Sequence, residues 1–546
     1  MNRKLLFYRI SAFISGMSVM AVELAASRLL APYFSSSILV WSVIIGTIMA
    51  SMSLGNYCGG WLADRAAGKG TDAPIYTRIL IAGVWIACIP LAGKYVIAAV
   101  SGIAIVIAGS QLLVVGSLLA CLIIFAAPMV LLGMVSPFLV RFAIDADEQN
   151  PGRATGSIYA WGTVGSIIGT FLPSFVTIPL LGVSRTFLLF ALLLALLVLI
   201  YGSMKKTRWW PGALVSAICL ALLLVPQQPH YAFWKNNIVY EGESVYNYLQ
   251  VTQDDQYRYF STNVMFGVQS MIPRELLRGE NAGIGTDTYF HGLLGACGFL
   301  PDFAAHKPID ALVLGLGAGT YPIMLRYTLP GSTCVGVEID PAIVKLAADY
   351  FGLTAQDCVA VVGDGRTYVQ RDNKKYDVIV IDAYQDISIP FYMATTEFFG
   401  LCKDRLKPGG VLVCNINMNT RENGAVVNAL TATLQSRFSA VYAYNVGTNT
   451  LLYAPTGGGL ELFTQNVAQS AANRPLYQML RATGNGLTQI SGDGPVLTDN
   501  RAPTEILAAS VLQNMISEQD AAVKSQVDAY GGGLSGWRQY LTELMK

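Results

Sequence analysis

Between residues 315 and 386, glycines and acids are spaced as the binding of a nucleoside would require. Gly315-Leu-Gly317-Ala-Gly319-Thr follows directly on an apolar run and precedes a helical stretch. Glycines there let the backbone approach a ligand that a side chain would hold off, although such turns are common and weak evidence alone. Glu338 closes the next apolar run, about twenty residues on, where a carboxylate can accept hydrogen bonds from both ribose hydroxyls. Gly363-Asp364-Gly365 closes a third run and offers an acid to an adenine amino group. Asp382 ends a fourth, with Asp386 just beyond. Any one of these acids could equally cap a helix. All four signals in this order point to an adenosyl ligand.

Strands must hold these residues in place. ALVLGLG, TCVGVEID, CVAVVGD, YDVIVIDAY and GGVLVCNIN are short apolar runs, most of them followed by a helical stretch. The alternation predicts an α/β, Rossmann-type domain, with one twisted, mostly parallel sheet over 311–455 and helices on both faces. Ligands then collect at the carboxyl ends of the strands, near the switch point. Ahead of it, IVYEGESVYNYLQVTQ and YRYFSTNVMFGVQS predict a small β-domain at about 235–270, with Asp254-Asp255 as a hairpin turn.

Residues from roughly 240 to 510 resemble the polyamine aminopropyltransferases, the spermidine and spermine synthases. The likeness rests on Glu243-Ser-x-Tyr246, Gly267-Val-Gln269-Ser, the Gly315 loop, Glu338-Ile-Asp340, Asp364-Gly365 and Tyr376-Asp377-Val. It continues through the run from Asp386 to Pro390 and Glu397-Phe398. The ending Leu497-Thr498-Asp499-Asn500-x-Ala502-Pro503-x-Glu505 is similar to the membrane-anchored branch of the superfamily. The resemblance implies a class I methyltransferase-like fold. It also implies decarboxylated S-adenosylmethionine or S-adenosylmethionine as co-substrate, no metal, and a small amine acceptor of the putrescine kind. Gln269 and Glu338 would fix the nucleoside, Asp364 and Gly365 the base, and His291 in the lid segment would join the donor-binding set. Asp386 would orient the amine and take its proton, with Asp382 as the alternative.

Several positions depart from that pattern. Ala318 stands where the family carries an acid that binds the donor's ammonium and repels a donor carboxylate. The expectation is a weakened preference for the decarboxylated donor, restored by Ala318→Asp. Phe290-His291-Gly292 replaces Tyr-His-Glu, Asn247 replaces Gln, and the loop from Asp382 to Asp386 is one residue longer. Three functions follow as expectations: aminopropyl transfer, another adenosyl-dependent transfer (methyl or aminocarboxypropyl), or a transporter or sensor whose synthase-like domain only binds ligand.

The first half has another character. Apolar segments near 10–30, 38–62, 77–98, 112–140, 155–179, 184–203 and 210–226 are each long enough to cross a hydrocarbon core. The stretch at 99–110 could form an eighth, re-entrant or interfacial piece. The first segment is too long for a signal peptide, which predicts a retained span. The expected domains are a transmembrane helical domain at 1–228, a small β-domain and lid region at 229–305, the Rossmann domain at 306–520 and a tail at 521–546. Eleven Lys and Arg residues fall in or beside the loops of one face (Arg3 to Arg208) against Arg28, Lys94 and Arg185 on the other. In a cell (inner) membrane that asymmetry puts the eleven in the cytoplasm and, after seven crossings, the C-terminal half outside it, whereas the supply of an adenosyl donor favours the cytoplasmic side. Glu23, within the first span, is a functional candidate or a helix lock. Gly60-Trp-Leu-Ala-Asp64-Arg65 with Gly68-Lys69 resembles a loop of major-facilitator transporters, or is simply a tight charged turn.

Composition narrows the classes further. The chain is 53% hydrophobic and 13% charged, and its net charge of +1 gives no footprint for nucleic acid. Nine cysteines lack a C-x-x-C pair, which argues against zinc and for small core residues. The lipid bilayer is the implied large-scale partner, with a homo-oligomer as a further assembly state.

Overall fold

The computed structural model describes residues 3–507 except 35, 109–111, 208, 226–229, 265–267, 279–287, 302, 304–306, 384–389, 418–423 and 505, together with 528, 529, 531 and 539. The chain divides into two compact units, Met1–Ala232 and Phe233–Lys546.

The first unit is helical. Arg3–Phe34, Ile38–Ala67, Ala73–Ala104, Val114–Ala146 and Pro151–Met204 are long and apolar enough to cross a membrane, and Trp210–Leu224 is a shorter apolar helix. The run Pro151–Met204 breaks at Gly182, whose φ of 82° and ψ of 171° lie where only glycine is unstrained. The break separates the segments expected at 155–179 and 184–203. The third helix continues to Ala108, so residues 99–108 extend it rather than forming a separate piece.

Glycines set the closest helix contacts in this unit. A Cβ on Gly165 would lie 2.0 Å from the Phe13 carbonyl oxygen, and one on Gly169 2.1 Å from that of Met17. The first and fifth expected spans therefore touch backbone to backbone along the face that carries Gly162, Gly165 and Gly169. Near one end of the bundle the buried Asp72 accepts hydrogen bonds from the hydroxyls of Tyr8 (2.7 Å) and Tyr201 (2.7 Å) and pairs with Lys205 at 3.4 Å. In the Gly60–Lys69 segment, Asp64 faces Arg141 at 3.9 Å and the Arg65 guanidinium lies 3.6 Å from the centre of the Trp61 ring. Trp61, Asp64 and Arg65 lie in the last two turns of the helix Ile38–Ala67, and the turn proper follows at Gly68.

The second unit opens with an antiparallel meander, β1 (Ile238–Glu243), β2 (Tyr248–Gln253), β3 (Tyr257–Ser261) and β4 (Ser270–Pro273). Asp254 makes its hairpin turn by accepting the backbone N–H groups of Gln256 (2.8 Å) and Tyr257 (2.7 Å). The main sheet comprises β5 (Asp310–Leu314), β6 (Thr333–Glu338), β7 (Val359–Val362), β8 (Tyr376–Ile381), β9 (Leu406–Ile416), β10 (Val441–Val446), β11 (Asn449–Pro455) and β12 (Thr488–Ile490). Its order is β12-β10-β11-β9-β8-β5-β6-β7. β5 to β9 run parallel to their neighbours, whereas β11, β10 and β12 add an antiparallel flank. The parallel part is the sheet expected from the strand–helix alternation. The flank differs because β10 and β11 are joined through Gly447-Thr448, a span too short for a crossover helix.

The chain leaves β5 for β6 on one side and returns to β8 on the other, so the switch point lies at the carboxyl end of β5. Beneath it Val313, Val378, Val380, Val411 and Val413 are buried in one apolar cluster. A second cluster packs the meander's Leu249, Val251, Phe260 and Ile272 against Ala318, Ile343, Leu346 and Phe351.

Candidate functional site

A cavity of about 230 Å³ opens at the switch point. Gln269, Gly315, Gly317, Glu338, Asp364, Gly365 and Asp382 all line it, so seven of the ten residues singled out from sequence share one site. Gly315 has φ 92°, and a Cβ there would come within 2.5 Å of the Asp382 carbonyl oxygen. Only glycine lets the loop pass this close to the end of β8.

Glu338, at the end of β6, is buried. One carboxylate oxygen accepts the Gly317 N–H at 3.0 Å and the other the Asp340 N–H at 3.2 Å. Burial raises its pKa, and these two N–H groups work in the opposite direction by favouring the charged form. Each oxygen keeps lone-pair capacity for a diol. Asp340 in turn caps the helix Pro341–Phe351 and accepts from Ser244 and Asn247 of the β1–β2 turn, tying the meander to this strand end. Asp364 caps the helix Gly365–Arg371 by accepting the Thr367 N–H at 2.8 Å, so the capping and site positions coincide in one residue.

Asp382 is the most perturbed acid of the site. Burial pushes its carboxyl up to about 7, against the opposing donors Asn415 and Tyr289. The Asn415 Nδ2 donates to Oδ1 at 2.7 Å, and Asn449 Nδ2 fixes that amide by donating to Asn415 Oδ1 at 2.9 Å. The Tyr289 hydroxyl lies 2.8 Å from the Gln269 carbonyl oxygen and 3.4 Å from Asp382 Oδ2. A carboxyl poised near neutrality in a nucleoside-sized cavity is equipped to accept a proton.

Two sequence expectations fall elsewhere. His291 does not line the cavity. It is fully buried and shares a hydrogen bond of 3.1 Å with the Tyr444 hydroxyl, as a core histidine does. Gly319 caps the helix Thr320–Thr328 from behind the loop, against Leu353, and is likewise outside the lining. Asp386 lies outside the described residues. The methyl group of Ala318 is fully buried in the apolar cluster with Phe260, Ile272 and Ile343. A carboxylate built there would meet hydrocarbon rather than a donor's ammonium.

Tyr289, Asn415 and Tyr392 were missed. Asn415 had a legible signal, a polar residue near the end of a strand run. Tyr289 supplies a hydroxyl one residue before the position where the resemblance looks for one. At Gly292 a Cβ would lie 2.4 Å from a terminal methyl of Leu451 and 3.2 Å from the Tyr444 ring, so a larger side chain there would require these side chains to shift.

A doubly wound sheet with acids at neighbouring strand ends around a switch-point cavity defines an α/β protein of the nucleoside-binding kind. A family model described as the spermine/spermidine synthase domain matches residues 298–457. A probable polyamine aminopropyl transferase of Bifidobacterium longum is 32% identical over 362 residues, covering 62% of this chain and 77% of that protein. The chain belongs to this family, the polyamine aminopropyltransferases, and is a transferase of the spermidine synthase type. An eEF1A lysine and N-terminal methyltransferase of Bos taurus is 28% identical over 201 residues, covering 34% of this chain and 28% of that one. A probable spermidine synthase structure from Corynebacterium glutamicum has 18% identity and a TM-score of 0.37, covering 48% of this chain and 99% of that one.

Proposed function

We propose that the protein is a membrane-integral aminopropyltransferase using decarboxylated S-adenosylmethionine as donor and a small amine of the putrescine kind as acceptor. The convergence of Glu338, Asp364 and Asp382 at three strand ends around one cavity carries this reading. Glu338 takes the ribose hydroxyls and Asp364 faces the base. The amine nitrogen attacks the propyl carbon bonded to sulfur, the C–S electron pair passes to sulfur, and neutral methylthioadenosine leaves. The proton lost from nitrogen goes to the Asp382 carboxylate. The leaving thioether is neutral, so the protein mainly positions an unprotonated amine in line.

Methylthioadenosine release by the full chain with each donor tests the reaction. Formation of S-adenosylhomocysteine from S-adenosylmethionine would identify a methyl transfer instead. Glu338→Ala is expected to weaken binding of the adenosyl donor by about 1–3 kcal/mol, the cost of losing hydrogen bonds to a charged group. Titration calorimetry checks this, and unchanged affinity removes the ribose assignment.

Membrane integration is supported by the outward apolar side chains of the first unit, including Met49, Phe175 and Leu180, exposed at 62%, 73% and 74%. The eleven-to-three charge asymmetry supports a C-terminal unit outside the cytoplasm. A phosphatase fused after Gln228 is expected to be active and a fluorophore at the same point dark. The reverse pattern would place that unit beside the cytoplasmic donor supply and end the seven-crossing topology.

A further inference from the structure

We infer that Asp499, far along the chain from the strand-end acids, is a positioning residue that holds one wall of the donor cavity through Arg366; this rests on reading the cavity as the donor site. The wall is formed by Pro390, Tyr392 and Met393. Arg366 lies two residues after Asp364, on the helix that Asp364 caps. Its Nη1 donates to the Tyr392 carbonyl oxygen at 2.8 Å and to Asp499 Oδ1 at 2.7 Å, while Nη2 donates to Oδ2 at 2.6 Å. This is a two-pronged guanidinium–carboxylate pair, which fixes direction as well as distance.

Asp499 grips the same segment at further points. Its Oδ1 also accepts the Thr395 hydroxyl at 2.7 Å, and its N–H donates to Glu397 Oε2 at 3.1 Å. The neighbouring Leu497 carbonyl accepts the Thr396 N–H at 2.9 Å. Thr498 and Arg501 pair their backbones across the intervening Asp499-Asn500, which presents the aspartate from a tight turn. Residues 392–397 are thus clamped behind the cavity. The clamp gives a physical role to the Leu497–Asn500 segment, which sequence could only match to a pattern.

The pair is partly exposed, at 15% and 40%, and joins two local segments rather than the sheet's core, so its contribution to global stability is modest. Its effect belongs to the wall it holds, so donor binding should respond more than unfolding. The test uses the full chain in detergent, with methylthioadenosine titrated into parent, Asp499→Ala, Arg366→Ala, the double variant and Glu338→Ala. Asp499→Ala is expected to weaken methylthioadenosine binding and raise the donor KM about tenfold, the scale of a lost charge-assisted contact. The acceptor KM and the unfolding midpoint should stay close to the parent values. The double variant should lose no more than Arg366→Ala alone, since the two act as one unit. Parent-like binding by Asp499→Ala beside weakened Glu338→Ala overturns the inference and leaves the donor site standing. Parent-like binding by both removes the donor reading and the inference with it. A fall in unfolding midpoint with equal rises in both KM values would make the clamp merely structural and also overturn it.

Discussion

Asp382→Asn is expected to lower kcat for aminopropyl transfer by about 10²–10⁴-fold, the usual contribution of a positioned general base. The larger part of the loss should appear in kcat rather than in the donor KM, because Asp382 acts on the attacking amine. Its carboxyl, pushed up to about 7 by burial, must be ionised to take the proton. In the parent the rate should therefore fall roughly tenfold per unit below pH 7. Asn415 holds the carboxyl down by donating to its charged form, so Asn415→Ala should move the midpoint of the profile upward. The same shift has a sign for stability. The folded carboxyl binds its proton more tightly than the ordinary value of 3.8, so its contribution to stability falls as pH rises from about 4 to 7. Asp382→Asn should consequently be more stable than the parent at pH 8, by up to about 4 kcal/mol. A variant that keeps more than about a tenth of kcat ends the assignment to Asp382 and transfers it to Asp386.

Most parts of the site that sequence revealed sit where a strand run stops, Gln269, just ahead of β4, being the exception. Glu338, Asp364 and Asp382 are placed by the period of the sheet, and a parallel sheet brings successive strand ends to one edge. Gly315 was legible because a loop that passes another backbone closely needs glycine. What sequence missed is long-range. Tyr289 reaches Asp382 across 93 residues, Arg366 reaches Asp499 across 133, and Asn415 is held by Asn449 across 34. No local pattern encodes those pairings. His291 was carried in by motif neighbourhood, and packing against Tyr444 decides its place instead. The antiparallel flank was hidden for another reason. β10 and β11 are as apolar as the parallel strands, and only the two-residue Gly447-Thr448 connection distinguishes them.

Ala318→Asp should destabilise the C-terminal unit by about 3–5 kcal/mol, the cost of an unpaired charge in a buried setting. The expectation from sequence was the opposite kind of effect, a restored donor preference, and geometry decides between them. The Ala318 side chain is fully buried, and its cluster partners Leu249, Val251, Phe260, Ile272, Ile343, Leu346 and Phe351 offer no hydrogen-bonding side chain. Its backbone N–H is held by the Ser270 hydroxyl at 3.2 Å, which helps to fix the loop. Ala318→Asn separates size from charge, since it adds the same volume without ionising. If burial of charge is the cause, the aspartate variant should unfold at lower denaturant than the asparagine variant at pH 8. The gap should narrow as pH falls and the carboxyl takes its proton. Donor discrimination measured on the same proteins completes the test. An Ala318→Asp protein as stable as the parent, and newly selective against the carboxylated donor, would show that this side chain reaches the donor site after all.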